Sequence, residues 1–420
     1  MAVAPRPLAH IAGDAGRLSE RQRALVALAA DLGRSRFAAR AALHDREASF
    51  PLDNLRDLRD SGLLGLCVPA ERGGLGGGYA ELMLVAAELG RHCGATALSF
   101  NMHACATLWL GPVADALALS DRERADQRAR QALHHERVVR QGKLYAQPFS
   151  EGGAASAGKA PWGTVARRVE GGYLVTGRKV FATLAGVADH YAVLCTLDIP
   201  GASPRDALFL AVPADAPGVS VTGAWDPLGM RATVSRDLVL HDVFVRDSAR
   251  LLPEGRYHEA AQRHPHLYGT LAAPYMGIAQ AAYDFTVQYL RGELPGMPPV
   301  TRRMYPTKQL AVAQMCIQLE QARAMFLDSA LHARPDPDAA ALQRLQAAHY
   351  TVMETAAAIC TLAIRTCGGA SMMRSLPLER HFRDARCGSL MLPWTAELCL
   401  DQLGRGCLYD EAEGDEDIET

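Results

Sequence analysis

The chain has 420 residues, 49% hydrophobic and 21% charged, and 44 Lys plus Arg against 46 Asp plus Glu leave a formal net charge of −2. That length admits two or three domains with a sizeable buried core. The near balance of charge gives no case for nucleic acid or an anionic membrane surface as a partner, since either requires a concentrated basic face.

From the N-terminus, MAVAPRPLAHIAGD carries no apolar leader, and no uninterrupted apolar run of about 18 residues occurs later, so a cytoplasmic protein without membrane insertion is expected. Leu18, Leu25, Leu28, Leu32 and Phe37 recur at helical spacing behind Ser19, which predicts an amphipathic helix over 16–45. Pro51 opens a second helix that ends at Gly62. The run GGLGGG from Gly73 to Gly78 invites a phosphate-loop reading, but no βαβ strand precedes it and no Lys-Ser/Thr follows, so a plain loop before a core helix from about Tyr79 is expected. Residues 94–118 form an apolar helix in which His103 reads as a hydrogen-bonded core residue. Residues 120–142 are charge-dense and read as a solvated helix.

The pattern then changes. Gly171-Gly172 marks a hairpin turn, Tyr173 and Val175 alternate with Leu174 and Thr176, the β reading continues through Val180–Thr183, and Tyr191–Cys195 resumes as an apolar strand. From Leu271 four long segments carry bundle patterning, the last of them beginning at Pro393. The tail from Asp410 is acidic, poor in apolar residues and expected to be disordered. The predicted division is a helical domain over 1–142, a β domain over 143–250, a helical bundle over 251–408 and the tail over 409–420. The ten cysteines form no C-x-x-C pair, and Cys67, Cys195 and Cys360 lie in apolar runs, so they read as small core residues in a reducing compartment rather than a disulfide frame or metal site.

Four motifs stand in register: Ser150-Glu151-Gly152-Gly153; Gly172-Tyr173-Leu174-Val175-x-Gly177-x-Lys179-x-Phe181-Ala182-Thr183 with Ala188-Asp189; Leu228-Gly229-Met230-Arg231-Ala232-Thr233; and Cys367-Gly368-Gly369 with Arg383-Asp384-Ala385. Together they resemble the acyl-CoA dehydrogenase superfamily over nearly the whole chain. The resemblance implies a mainly α fold with a central β domain: an N-terminal helical domain, a β-barrel-like middle domain and a C-terminal four-helix bundle, with FAD in the cleft between sheet and bundle. A flavin ring is a flat apolar surface with polar edges, and it needs apolar walls and a few fixed hydrogen-bonding groups.

By match to the family, Gln147, Phe149 and Ser150 meet the flavin's pyrimidine edge, Phe181 covers one ring face and Thr183 reaches the N5 region. Gly368 and Gly369 would let the backbone approach the dinucleotide of a neighbouring subunit, which implies a homo-oligomer, a dimer or tetramer. Thr395, in the loop replacing the family's Tyr-Glu-Gly-Thr, completes the expected cofactor contacts. Arg383 and Asp384 are expected to set helix packing.

The reaction the resemblance implies is α,β-dehydrogenation of an acyl-CoA, with an electron acceptor protein or reductase as partner. That reaction needs a carboxylate base opposite the flavin, and both places where the family keeps one are apolar here: Leu392 or Pro393 in the C-terminal loop, and Leu267 ten residues before Gly277-Ile278-Ala279-Gln280-Ala281-Ala282. Glu397, the carboxylate in the altered loop, is the expected substitute, ahead of His103 and Tyr268. Two further readings follow from the missing Glu: a monooxygenase of the same fold supplied with reduced flavin, and a relative without turnover that binds a ligand in the old cleft.

Overall fold

The computed structural model describes residues 16–152, 161–294 and 302–409. The N-terminal stretch read as carrying no apolar leader and the acidic tail expected to be disordered both lie outside the described residues.

Ser19 is extended and accepts a hydrogen bond from Gln22 N while the Gln22 side chain accepts one from Ser19 N, a reciprocal cap that starts α1 (Glu20–Leu32). A π turn at Gly33–Phe37 carries α1 into α2 (Ala38–Glu47), so the predicted single helix is continuous with one irregular turn. After α3 (Leu52–Asp60), Gly76 N and Gly77 N donate to Val68 O and Leu66 O, which makes the glycine run a packed loop. It feeds α4 (Tyr79–Gly90), α5 (Gly94–Leu108) and α6 (Asp121–Val139).

The middle of the chain supplies β1 (Tyr145–Ala146), β2 (Val165–Val169), β3 (Gly172–Lys179), β4 (His190–Leu197), β5 (Ala207–Pro213), β6 (Val219–Thr222) and β7 (Asp237–Arg246). Gly171, at φ 74°, turns β2 back into β3. β3 is antiparallel to β2 and β7, and β7 to β6. β4 runs parallel to β1 and β2 and antiparallel to β5. A bridge between Leu210 and Arg250 and a bond from Leu251 N to Phe209 O draw β5 back toward the end of β7, and the sheet curls.

One expectation fails here. β3 ends at Lys179, and Phe181 (φ 52°) and Leu184 (φ 70°) take left-handed backbone, so Val180–Thr183 is an irregular bend rather than strand.

Beyond α7 (Tyr257–Arg263) and a 3₁₀ segment at Pro265–Leu271 come α8 (Ala272–Arg291), α9 (Pro306–His332), α10 (Ala339–Cys367), α11 (Leu378–Arg386) and α12 (Ala396–Leu408). α8, α9 and α10 pack on one another, and α11 packs on α8 and α10. The fourth place in the bundle therefore belongs to α11, not to the segment after Pro393. That segment becomes α12, which lies on α10 through a small separate cluster of Leu345, Trp394 and Cys399. α10 is apolar and long enough to span a bilayer by composition, yet its apolar length is the bundle's own core, with Ile359, Cys360 and Ala363 fully buried. α4 is buried over nearly its whole length because it lies between α1, α5 and α8. At its crossing with α8 the backbones touch: a Cβ on Gly277 would meet Ala87 O at 2.1 Å, and one on Gly90 would meet Pro274 O at 2.4 Å.

The core also holds neutral histidines. His103 Nε2 lies 2.9 Å from Leu64 O and its Nδ1 accepts from Tyr145 N at 3.0 Å, so its two partners fix one neutral tautomer. It ties α5 to β1, as a core histidine, and is not a base. Burial holds His103, His135, His190, His266 and His349 at about 4 and His381 at about 3, against an ordinary 6.5. Between those values the unfolded chain binds protons that the folded chain refuses, so stability falls as pH drops through that window. Asp384 acts in the opposite sense, since burial raises its carboxyl to about 6, but six groups outweigh one. We expect the urea midpoint to fall steadily from about pH 6.5 to about pH 4.5; a flat or rising midpoint would contradict this account.

Candidate active site

The end of β3 and the segment before β2 are joined by a buried ion pair. Lys179 Nζ donates to Glu151 Oε1 and to Leu194 O, each at 2.6 Å, and lies over the Trp162 ring at 4.7 Å. Glu151 in turn accepts from Gly163 N and Thr164 N, and Ser150 O accepts from Val180 N. This clamp fixes Gln147, Phe149 and Ser150 beside the bend that carries Phe181 and Thr183.

Phe181, unusual for a phenylalanine in its left-handed backbone, is 69% exposed and presents its ring to the cleft edge-on to Trp225 at 6.3 Å. A strained backbone holding a large apolar ring out of the core is a feature of ligand sites. Beneath it Thr183 Oγ1 and Thr233 Oγ1 each lie 2.8 Å from Ser235 Oγ, a fixed line of hydroxyls.

The Leu228–Thr233 motif is held from the bundle. Asp384 Oδ1 accepts from Met230 N at 2.5 Å. Its neighbour Arg383 donates to Asp45 Oδ2 at 2.6 Å, to Glu379 and to Leu228 O. One turn of α11 therefore joins the N-terminal helices, the β domain and the bundle, which is the packing role read from the sequence.

Between these parts lies a cavity of about 360 Å³, within the range of small-molecule sites. Gln147, Phe149, Ser150, Phe181 and Thr183 all line it. Its far wall is one face of α5 (Leu98, Met102, Cys105) with Trp109 just past its end, together with the 3₁₀ segment before α8 and residues 390–393. Leu267, Leu392 and Pro393 are part of that wall, so both places where the family keeps its Glu face the cavity, and both are apolar. No Asp, Glu, Lys, Arg or His is among the described residues lining it.

The remaining expected site residues lie elsewhere. Glu397 is exposed on the first turn of α12 and does not line the cavity. The cause is the register: Thr395 caps α12, accepting from Leu398 N at 3.2 Å, and Trp394 takes the inward position. Glu397 as the base is thus corrected. Thr395, engaged in that cap, also lies outside the cavity lining. Gly368 and Gly369 close α10 away from the cavity, half-buried and exposed, with open space where a Cβ would stand. Tyr268 does line the cavity, but burial raises its phenol above the ordinary value, which makes it a poor base near neutrality.

The sequence reading missed Trp225, Ser235 and the α5 face. Leu98, Met102, Cys105 and Trp109 sit at helical spacing, and a cavity wall and a core face share that signal.

The lining suits a flavin ring system: Phe181 offers an apolar face, the Thr183–Ser235 hydroxyls a polar line, and Trp225 Nε1, on the side chain next to Phe181, is buried without a hydrogen-bond partner. Such an orphaned polar atom on a cavity-lining side chain is the mark of a ligand's polar edge.

Fold and cavity together define a helical scaffold closed around a curled sheet with a ligand-sized chamber, and comparison with known proteins gives the family. The models for the N-terminal, middle and C-terminal acyl-CoA dehydrogenase domains match residues 19–112, 146–243 and 269–390. The putative acyl-CoA dehydrogenase YdbM of Bacillus subtilis is 30% identical over 355 residues, covering 83% of this chain and 87% of the relative. L-evernosamine nitrososynthase of a Micromonospora species is 31% identical over 409 residues, covering 90% and 89%. The structure of KijD3 in complex with FMN and a dTDP-linked amino keto sugar superposes with a TM-score of 0.78 at 27% identity, covering 94% of this chain and 96% of that one. The chain belongs to the acyl-CoA dehydrogenase family, a family of flavoproteins.

Proposed function

We propose that this protein is a flavin-dependent monooxygenase built on the acyl-CoA dehydrogenase fold. The observation that carries the reading is the cavity wall, which has no carboxylate among the described residues and includes Leu267 and Leu392, the positions matched to the family's base. A positioned base contributes typically 10²- to 10⁴-fold, about 3–5 kcal/mol of barrier, so a dehydrogenase lacking one forfeits much of its rate. Oxygenation needs no abstraction of an α-proton by a positioned base and gains from a dry, apolar chamber. The likeness to a nitrososynthase and to an FMN-bound KijD3 supports the same direction.

When bound, the flavin supplies two-electron chemistry, accepting hydride when oxidised and activating dioxygen when reduced. Phe181 would cover its ring, Thr183 and Ser235 would bond its reactive edge, and Ser150 its pyrimidine edge. Leu392, Pro393 and Met391 would exclude water from the opposite side. FMN and FAD share this ring, and the Gly368–Gly369 end of α10, next to Met372 (64% exposed) and Met373 (62%), would meet a second copy in a homo-oligomer. The partners are a small-molecule substrate and a separate reductase, and the compartment is the cytoplasm.

The test is spectroscopic. We expect the purified protein to bind flavin, to keep it oxidised under a short- to long-chain acyl-CoA panel without oxygen, and to consume oxygen with substrate once the flavin is reduced. Bleaching by any acyl-CoA in the absence of oxygen would return the protein to the dehydrogenases. A melting temperature that added flavin does not raise would leave only a non-catalytic relative, because a ligand of the native state must stabilise it.

A further inference from the structure

Deepening that reading, we infer that the part of the substrate that enters the cavity is uncharged and largely apolar with a hydroxyl group leading, and that Gln147 and Trp109 recognise this hydroxyl at the α5 end of the cavity. Once a flavin ring occupies the Phe181–Thr183 side, the space left is bounded by α5 and the segment before α8. Most of that wall is hydrocarbon, from Leu98, Met102, Leu267, Leu271 and Leu392. An ionised group there would be stripped of water with no counter-charge among the described lining residues, a cost of several kcal/mol per ion. The part of the substrate that enters is therefore neutral.

The apolar wall gives way at one end. Gln147, Thr270, Cys105 and Trp109 converge there, and all four line the cavity. The Cys105 thiol has Thr270, Gln147 and Trp109 around it, and burial pushes it up to about 11, so it stays protonated and uncharged. Asn101 Nδ2 donates to Thr270 Oγ1 at 3.4 Å, and Thr270 Oγ1 donates to Leu267 O at 2.8 Å, so the threonine hydroxyl is held in place from both sides. Two buried atoms of the cavity lining at this end, Gln147 Oε1, an acceptor, and Trp109 Nε1, a donor, have no hydrogen-bond partner, with both side chains standing next to the Cys105 thiol; Asn101 Oδ1, behind the lining, is unpartnered too.

One acceptor and one donor left open at the same end select their complement. A hydroxyl donates one hydrogen bond and accepts others from a single atom, so it serves Gln147 Oε1 and Trp109 Nε1 together. A methyl of similar size leaves both orphaned and shut off from water, and that asymmetry is where hydrogen-bond selectivity comes from.

The experiment compares para-ethylphenol with its near-isostere para-ethyltoluene, titrated into the flavin-loaded, oxidised protein and followed by the flavin difference spectrum. In the parent the phenol should bind about tenfold more tightly than the toluene. Gln147→Leu and Trp109→Phe should each cut that preference to about threefold or less, with melting temperature and flavin affinity measured alongside. Equal binding of the two probes by the parent overturns the inference. So does a Gln147→Leu protein that loses flavin affinity while keeping the phenol preference, because Gln147 would then serve the cofactor. A protein that takes up no flavin overturns the oxygenase reading instead. The same probe pair, followed by tryptophan fluorescence of the flavin-free protein, then decides the hydroxyl site separately.

Discussion

Gly277→Ala should destabilise the protein by about 3 kcal/mol or more, one of the largest effects expected of a single methyl group. The added Cβ would stand 2.1 Å from Ala87 O and 2.6 Å from Arg91 N. These are backbone atoms of α4 and of the cap that ends it, and no rotamer change moves them away. Relief requires α4 and α8 to separate, which loosens the contact between the N-terminal helices and the bundle. Gly90→Ala meets Pro274 O at the same crossing, so the two changes together should cost less than their sum, because one separation relieves both. Gly404→Ala is the control: nothing lies within 4 Å of its Cβ in α12, and a helical Gly→Ala change gains about 0.5–1 kcal/mol. Denaturant midpoints of the four variants test the account. A Gly277→Ala protein as stable as the parent would show that the crossing is not tight.

Lys179→Met should be as damaging by a different route. Lys179 is fully buried and the Glu151 side chain is 8% exposed. Burial pulls the lysine down and Glu151 pulls it back up, while Glu151 is held below its ordinary value chiefly by Lys179 against its own burial. Removing one member of such a pair leaves a desolvated charge and costs about 3–5 kcal/mol. The damage should reach the cavity, because the pair clamps the segment bearing Gln147, Phe149 and Ser150, and flavin affinity should fall with stability. Lys179→Met combined with Glu151→Gln removes the uncompensated charge and should regain part of both. If Lys179→Met kept the parent's stability and flavin affinity, the clamp would be discounted.

What the sequence made legible was mostly local. Ser19 announces its helix because a capping hydroxyl and the apolar spacing behind it agree. Gly171 announces its hairpin because few other residues take that φ. Motif order carried the placing of Gln147, Phe149, Ser150, Phe181 and Thr183 around one cavity, even though the strand assumed for the last two is a bend. The failures were long-range. Whether α11 or α12 completes the bundle depends on which helix packs on α8, and α11 was too short at nine residues to stand out. Glu397 was lost to register, since a cap at Thr395 starts α12 with Trp394 inward and the glutamate outward. The polar end of the cavity gave no signal, because Gln147 and Trp109 meet only after the β domain closes over α5.

Arg383 and Asp384 are neighbours on α11, and they reach in different directions, one to Asp45 of α2 and the other to Met230 N. Hinging the bundle away from the helices before it breaks the first bond, and hinging it away from the β domain breaks the second. Asp384 is buried at 3% exposure, where water is a poor stand-in for a lost partner. The two bonds therefore hold the cleft against opening in both directions, one for each neighbour of the bundle.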